Sequence, residues 1–255
     1  MYKLISIELK RLLIRKRFRI TFFGILIYGI YQIIYYRMEV SGPYTTYILF
    51  FHNTFTELPL FIPIVSGVIC GDSVTIDREK GFIYFILSRG VSRGKYILSK
   101  GIGMATASAI CWGALLFILY LICLIAFPHT TTGIISSNLL RLRNIKLFMY
   151  SPVLYVFLII ICYMLAIAAF SGISLFTSVW TKNPYVTALM PFVVFIIGLI
   201  SFYGPLRIIN PYAYLALNDP VQMFSPNMHT ILLYWFCIIV LMLVLSTIFF
   251  NLRED

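Results

Sequence analysis

Charge is scarce in this chain. Asp, Glu, Lys and Arg make up 11% of its 255 residues, under half of the roughly 25% usual for a soluble domain. Carboxylates are scarcer still, nine against 20 basic residues. Histidine is also rare: His52, His129 and His229 stand on three separate connections. They form no HExxH pair, so no metal site is expected. The five cysteines, Cys70, Cys111, Cys123, Cys162 and Cys237, never form CxxC, and four lie in apolar runs. There they read as small core residues rather than ligands or disulfide partners. The stretch "GVSRGKY", Gly90 to Tyr96, has three residues between its glycines and a tyrosine after Lys95. A phosphate-binding loop needs four, and Ser or Thr after the lysine. The paired acids of an intramembrane protease are missing, as is the basic, serine and histidine set of a lipid phosphatase. No catalytic residue is expected, and the chain reads as a non-enzyme.

What replaces charge is apolar surface: 61% of residues are hydrophobic, 17% are aromatic, and the mean hydropathy is +0.94. This composition belongs to an integral membrane protein. The alternating pattern of a membrane barrel is missing, and only helices or closed barrels satisfy their backbone in lipid. The fold class is therefore all-α, with six spans at about 19–36, 51–70, 101–127, 152–178, 186–203 and 230–250. The second carries His52, Asn53 and Glu57 near one end and Pro59 and Pro63 within it, so its outer boundary falls anywhere from Tyr44 to Leu58. Glu57 either faces a cavity inside the membrane or begins the span at the interface.

Of the 20 Lys and Arg residues, 15 fall in the N-terminal segment, residues 71–100, the connection at Lys182 and the tail at Arg253; five fall on the other side. The positive-inside rule places both termini in the cytoplasm. The net charge of +11 thus reports topology. Nucleic acid is not an expected partner, because it needs a basic face on a soluble domain. The first apolar run ends in tyrosines rather than an A-x-A-like site, so the first span reads as uncleaved. Before it, residues 1–18 read as a helix in the inner membrane interface. Ile5, Leu9, Leu12 and Leu13 share one face, with Lys3, Lys10 and Arg11 opposite, toward lipid head groups. The whole chain, 1–255, reads as one membrane domain. The bacterial plasma membrane is the expected location.

The connection between spans 2 and 3 stands out. "DREKGFIYFILSRGVSRGKYILSKG", Asp77 to Gly101, has charged ends around the apolar run Phe82 to Leu87. An idle connection would be short. The pattern suits a short helix docking its apolar face on a surface, protein or lipid, and periodicity alone does not separate helix from strand here.

These residues carry a resemblance. The chain resembles a permease of the type-2 ATP-binding cassette exporter family. Such permeases begin with a Glu-Leu-Lys-Arg-like interfacial helix, here "IELKRLLIRKR", Ile7 to Arg17. Between spans 2 and 3 they carry an acidic-basic turn, a Gly, an apolar helix, a "PVSR"-like turn and a Lys opening span 3. Glu79, Lys80 and Gly81, then Val91, Ser92 and Arg93, then Lys100 follow that order. "INPYAYL", Ile208 to Leu215, is similar to the family's Pro-aromatic stretch between spans 5 and 6. Phe82 stands where Thr is usual, and Gly90 where Pro is usual.

The resemblance implies that the region 77–88 is a cytoplasmic coupling helix seated in a groove of a separate ATPase. That partner would bind ATP and Mg; no cofactor is expected in this chain. Asp77, Glu79 and Lys80 would make polar contacts, Phe82, Phe85 and Ile86 would pack, and Arg93 and Lys100 would anchor the turn at the membrane surface. A second permease would complete the pathway, as a homodimer or close heterodimer. Spans 1, 2 and 5 would line its centre, with Tyr28, Tyr31, Gln32, Glu57, Phe192 and Phe195 as candidates. Tyr35, Tyr36 and Tyr47 suit an interfacial aromatic belt. Gly101, Ala105, Ala109 and Gly113 suit close packing within one subunit. The basic outer segment Asn138 to Phe148 has no assigned role.

The implied function is export driven by ATP hydrolysis on the partner, with a membrane-active or antimicrobial peptide as cargo in self-immunity or resistance. A polysaccharide or lipid-linked substrate is the alternative within the family. Outside it stand a non-transporting membrane scaffold or sensor and an intramembrane enzyme.

Overall fold

A computed structural model describes residues 1–39, 46–54, 58–128, 145–201, 210–215 and 227–252. Among them every regular element is helical, as an all-α membrane protein requires. In chain order they are α1 (Tyr2–Ile14), α2 (Lys16–Glu39), α3 (Thr46–His52), α4 (Phe61–Cys70), α5 (Ser73–Glu79), α6 (Phe82–Ser88), α7 (Arg93–Ala126), α8 (Ile145–Tyr150), α9 (Pro152–Trp180), α10 (Pro184–Ser201), α11 (Pro211–Leu215) and α12 (Met228–Leu252).

Four are long and apolar enough to cross a membrane: α2, α7, α9 and α12. With 34 residues, α7 is about 51 Å long at 1.5 Å per residue, against a hydrocarbon core of about 30 Å. α9 is the hub and touches α7, α12, α4 and α10. Its apolar window is 61% buried, whereas those of α2 and α12 are 17% buried, which places the latter two at the rim. The ends of α9 follow local chemistry. Ser151 caps its start by accepting from the Leu154 amide at 3.4 Å, with Pro152 at the first helical position. α10 likewise opens on a proline, Pro184.

Several expectations are revised. Span 2 is not one continuous helix: α3 and α4 are separate, and Leu58 to Leu60 form a turn around Pro59. Proline supplies no amide to carry a helix through. α4 alone has ten residues, about 15 Å, half the hydrocarbon thickness. It is buried against α9 and α10 rather than facing lipid. A Cβ on Gly67 would overlap the Ala188 carbonyl oxygen, so only glycine permits the approach of α4 to α10. The fifth expected span corresponds to α10, a shorter apolar helix with Pro191 inside it. The interfacial helix ends at Ile14. Its Leu12 is fully buried in protein, because α1 packs on α7 as well as on α2. Tyr47 joins no exposed belt. It lies in a buried aromatic knot with Phe51, Phe148 and Tyr155, whose rings meet at 5.6–6.3 Å. As expected, Gly101 and Gly113 pack within the subunit: Gly101 meets Leu175 and Leu243, and a Cβ on Gly113 would lie 2.6 Å from Met164.

Helix contacts divide the bundle into two ends. At one, Tyr96 meets Phe250, Trp180 meets Phe249, and the Thr187 hydroxyl donates to the Gly71 carbonyl. This end gathers the start of α7 and α10 and the close of α4, α9 and α12. At the other, Asn53 donates to the Gly29 carbonyl at 2.9 Å and Thr46 to the Phe127 carbonyl at 3.0 Å.

Candidate functional site

The first end carries a buried charge cluster beneath an exposed short helix. Three helices each supply two side chains at i, i+3 or i, i+4 spacing, which places both on one face. α1 supplies Glu8 and Arg11, α5 supplies Ser73 and Asp77, and α7 supplies Tyr96 and Lys100. The Lys100 ammonium donates to Glu8 Oε1 at 3.0 Å, Ser73 Oγ at 2.8 Å and the Ser73 carbonyl at 3.2 Å, and pairs with Asp77 Oδ2 at 2.7 Å. Arg11 donates to Asp77 Oδ1 at 2.6 Å, and the Tyr96 hydroxyl to Asp77 Oδ2 at 2.9 Å. Ser73 donates to Glu8. Two carboxylates face two cations, so the cluster is neutral; both Asp77 oxygens and Glu8 Oε1 accept hydrogen bonds, and Glu8 Oε2 pairs with Arg11 at 3.6 Å. Such satisfaction is what makes buried charge tolerable.

The electrostatics follow the geometry. Burial would raise the Asp77 carboxyl, but Lys100 and then Arg11 outweigh it and hold Asp77 below the usual carboxylate range. Burial would lower the Arg11 guanidinium, yet Asp77 and Glu8 outweigh it and raise it further. A second pin lies beside the first. Asp72 accepts from Arg15 and from Arg17, each at 2.6 Å, across the break between α1 and α2. At that break the Arg15 ψ of 140° leaves the helical region.

From this base the chain turns outward. Gly81 has φ of 68° and Gly90 has φ of 81°, left-handed values that glycine adopts without a Cβ penalty. They bracket α6, cutting it from α5 and from α7. α6 turns Ile83 inward and leaves Phe82, Tyr84 and Phe85 exposed at 47%, 61% and 52%. The Arg89 guanidinium stacks over the Phe85 ring at 4.0 Å. Between α1 and α6 lies a cavity of about 370 Å³, walled by Leu4, Ile7, Arg11, Lys80, Phe82 and Ile86 among others.

The expected coupling residues therefore separate into two groups. Glu79, Lys80, Phe82 and Phe85 are exposed. Asp77 and Lys100 are not at a surface: they are 1% and 3% exposed and bonded to each other. The region 77–88 is two helices rather than one, because the left-handed backbone at Gly81 interrupts the helical path, and Asp77 lies on the first. Ile86 is half-buried against the core and Arg93 is half-buried. Tyr84, exposed beside Phe85, was not among the expected contacts, nor were Glu8, Arg11, Ser73 and Tyr96. One signal was available: Glu8 is the sole carboxylate before Glu39 in a strongly basic stretch. On α5, Arg78 has its three guanidinium nitrogens shielded and without an acceptor among the described residues.

The pathway candidates do not form one surface. Tyr31 is exposed and stacks near Tyr35 at 6.0 Å. Gln32 donates to the Tyr28 hydroxyl at 2.7 Å, and Phe192 is half-buried. Phe195 is 1% exposed and packs on Phe170 and Tyr212, so it belongs to the subunit interior rather than to a path. Glu57, Tyr44 and most of the basic outer segment lie outside the described residues. Among the described residues no group of His, Cys, Asp or Glu could hold a metal ion.

No protein-family model matches this chain, and no curated protein matches it.

Proposed function

We propose that this chain is the permease subunit of an ATP-driven exporter, a six-span protein with both termini in the cytoplasm. A separate cytoplasmic ATPase docks on α6. The observation that carries the reading is α6 itself. It is a glycine-bracketed helix showing three aromatic side chains outward, mounted on a buried ion cluster that ties it to α1 and α7. Aromatic side chains and arginine are the groups enriched at the centres of protein interfaces.

The mounting suits a coupling element. A push on α6 passes to α5 through the two-residue link Lys80–Gly81. From α5 it reaches α7 through Asp77 and Lys100, and α1 through Asp77 and Arg11. Bonds of 2.6–2.7 Å between these groups make the three helices shift together rather than slide. The chain contributes no catalytic group; ATP and Mg belong to the partner. A second copy or close homologue completes the pathway, in contact with the exposed faces of α2 and α10. The cargo class, membrane-active peptides with polysaccharide as the alternative, follows from the resemblance of Ile7–Arg17 and Asp77–Gly101 alone.

The test is the double variant Phe82→Ala, Phe85→Ala. Both side chains are half-exposed, so the protein should reach the membrane at normal levels. ATPase association and ATP-dependent transport should both be lost. Retention of both would overturn the reading.

A further inference from the structure

We infer that the cavity between α1 and α6 is a head-group site for an anionic phospholipid, one with a single phosphodiester and no compensating amine. Its phosphate meets Arg11 and Lys80, and its acyl chains leave over Ile7 and Phe82.

The charge of the lining selects the ligand. Glu8, Arg11, Asp77, Lys80 and Lys100 line the cavity. Three cations against two carboxylates leave a surplus of one positive charge, which one phosphodiester neutralises. The buried part of the lining has no donor to give. Lys100 spends its protons on Glu8, Ser73 and Asp77, the Tyr96 hydroxyl donates to Asp77, and Ser99 donates to the Tyr96 carbonyl. Two side chains have donors left. Arg11 reaches both Asp77 and Glu8 through Nη1, so Nη2 and Nε remain for another acceptor. Lys80 is exposed, and its ammonium has no partner among the described residues. An arginine fork beside a lysine is a phosphate-binding pair, and basic pockets between helices at the membrane edge take lipid head groups.

The rest of the lining separates a lipid from a free anion. Leu4, Ile7, Phe82 and Ile86 are apolar; a free phosphate gains nothing from them, whereas the first carbons of a lipid do. At about 370 Å³ the cavity lies at the small end of ligand pockets, about 300–1,000 Å³, and holds a head group rather than a whole lipid. The chains leave at the mouth, where Ile7 and Phe82 are 63% and 47% exposed. Ile14, two turns along α1 from Ile7, continues the apolar row at 70% exposure, beside the exposed Lys3 and Lys10. Depth separates lipid from protein. Gly101 to Ala126 of α7 carries no charged residue, and at 1.5 Å per residue this stretch is about 39 Å long, enough for a hydrocarbon core of about 30 Å. Lys100 therefore marks one edge of that core. Phe82 and Ile86 line the same cavity as Lys100, so the site lies at head-group level. Tyr84 and Phe85 form no part of it, which leaves the outer face of α6 free.

The test is native mass spectrometry of the full chain, purified in detergent and titrated with phosphatidylglycerol, phosphatidylcholine or inorganic phosphate. One phosphatidylglycerol per chain should bind about tenfold or more tightly than phosphatidylcholine, because only the former leaves the surplus charge neutralised. Lys80→Ala should weaken that binding about tenfold. Ile86→Trp, which fills the cavity from its apolar side, should abolish it. Lys10→Ala removes an exposed cation of α1 outside the cavity and should leave it unmoved. Equal binding of the two lipids, unchanged binding in Lys80→Ala or in Ile86→Trp, or an equal loss in Lys10→Ala would overturn the site. Displacement of phosphatidylglycerol by inorganic phosphate at the same concentration would assign the cavity to a free anion and overturn the lipid.

Discussion

Removing the Lys100 ammonium should be the most damaging single change at the end of the bundle that carries the ion cluster, although Lys100 lies beneath the surface there. In Lys100→Met the aliphatic stem is kept and the charge is deleted. Asp77 loses a 2.7 Å partner and Glu8 a 3.0 Å partner, both at sites under 10% exposed. Breaking a buried pair by removing one member costs roughly 3–5 kcal/mol. Arg11 remains on Asp77 at 2.6 Å, so the lower end, about 3 kcal/mol, applies. For a chain of this size that is a fall of roughly 6–12 °C in Tm. The assay is thermal unfolding of the purified protein in detergent, with Lys95→Met, an exposed neighbour, expected within about 0.5 kcal/mol of the parent. The cluster reading makes a sharper demand on the double variant Glu8→Gln, Lys100→Met. Neutralising the stranded carboxylate should recover part of the loss, so the two changes must be non-additive. If Lys100→Met unfolds with the parent, or the double variant shows the sum of both losses, the cluster does not act as a unit.

Three other outcomes are expected. Asp77 is held below its ordinary carboxylate range, so its contribution to stability is full above about pH 4. It is lost as pH falls through the depressed folded value; Asp77→Asn should abolish that acid-side loss in a melting series from pH 3 to 8 and lower stability above it. Gly81→Ala forces a Cβ into a left-handed backbone at φ 68° and should cost about 1–2 kcal/mol. Asn should be tolerated better than Ala, with faster amide exchange in α6 as the local readout. Finally, in a Cys237→Ser background, Arg89→Cys and Lys182→Cys should react with an impermeant maleimide from one side of the membrane and Tyr150→Cys from the other. Labelling of Arg89→Cys and Lys182→Cys from opposite sides would refute the grouping of α6 with the start of α10.

Much of this was legible in the linear chain. Long apolar runs mark α7, α9 and α12 because lipid offers the backbone no partner but itself. Basic clustering marks which ends lie together. The apolar run Phe82 to Leu87 marks most of α6, Phe82–Ser88, although the expected helix ran from 77 to 88 and took in part of α5. The division of 51–70 into α3 and α4 was foreshadowed by Pro59, although the run's hydropathy masked it. Burial of α4 against α9 and α10 depends on Gly67 meeting Ala188, a contact between residues far apart in sequence, and no local pattern carries it.

The fate of individual charges was decided only in three dimensions. Composition and spacing put Asp77 and Lys100 in one charged connection and left them looking like solvent-facing groups of a loop. Asp77 became an interior residue when the helix break at Gly81 separated α5 from α6. Lys100 became one when α1 packed across α7 and brought Glu8 within 3.0 Å. A lone charge in a sequence has no partner until the backbone supplies one. The sequence alone therefore determined the class of protein, its helical material and the exposed α6. The tertiary structure decided which carboxylates are spent inside, because only the packing of α1 and α5 on α7 brings their cations to them.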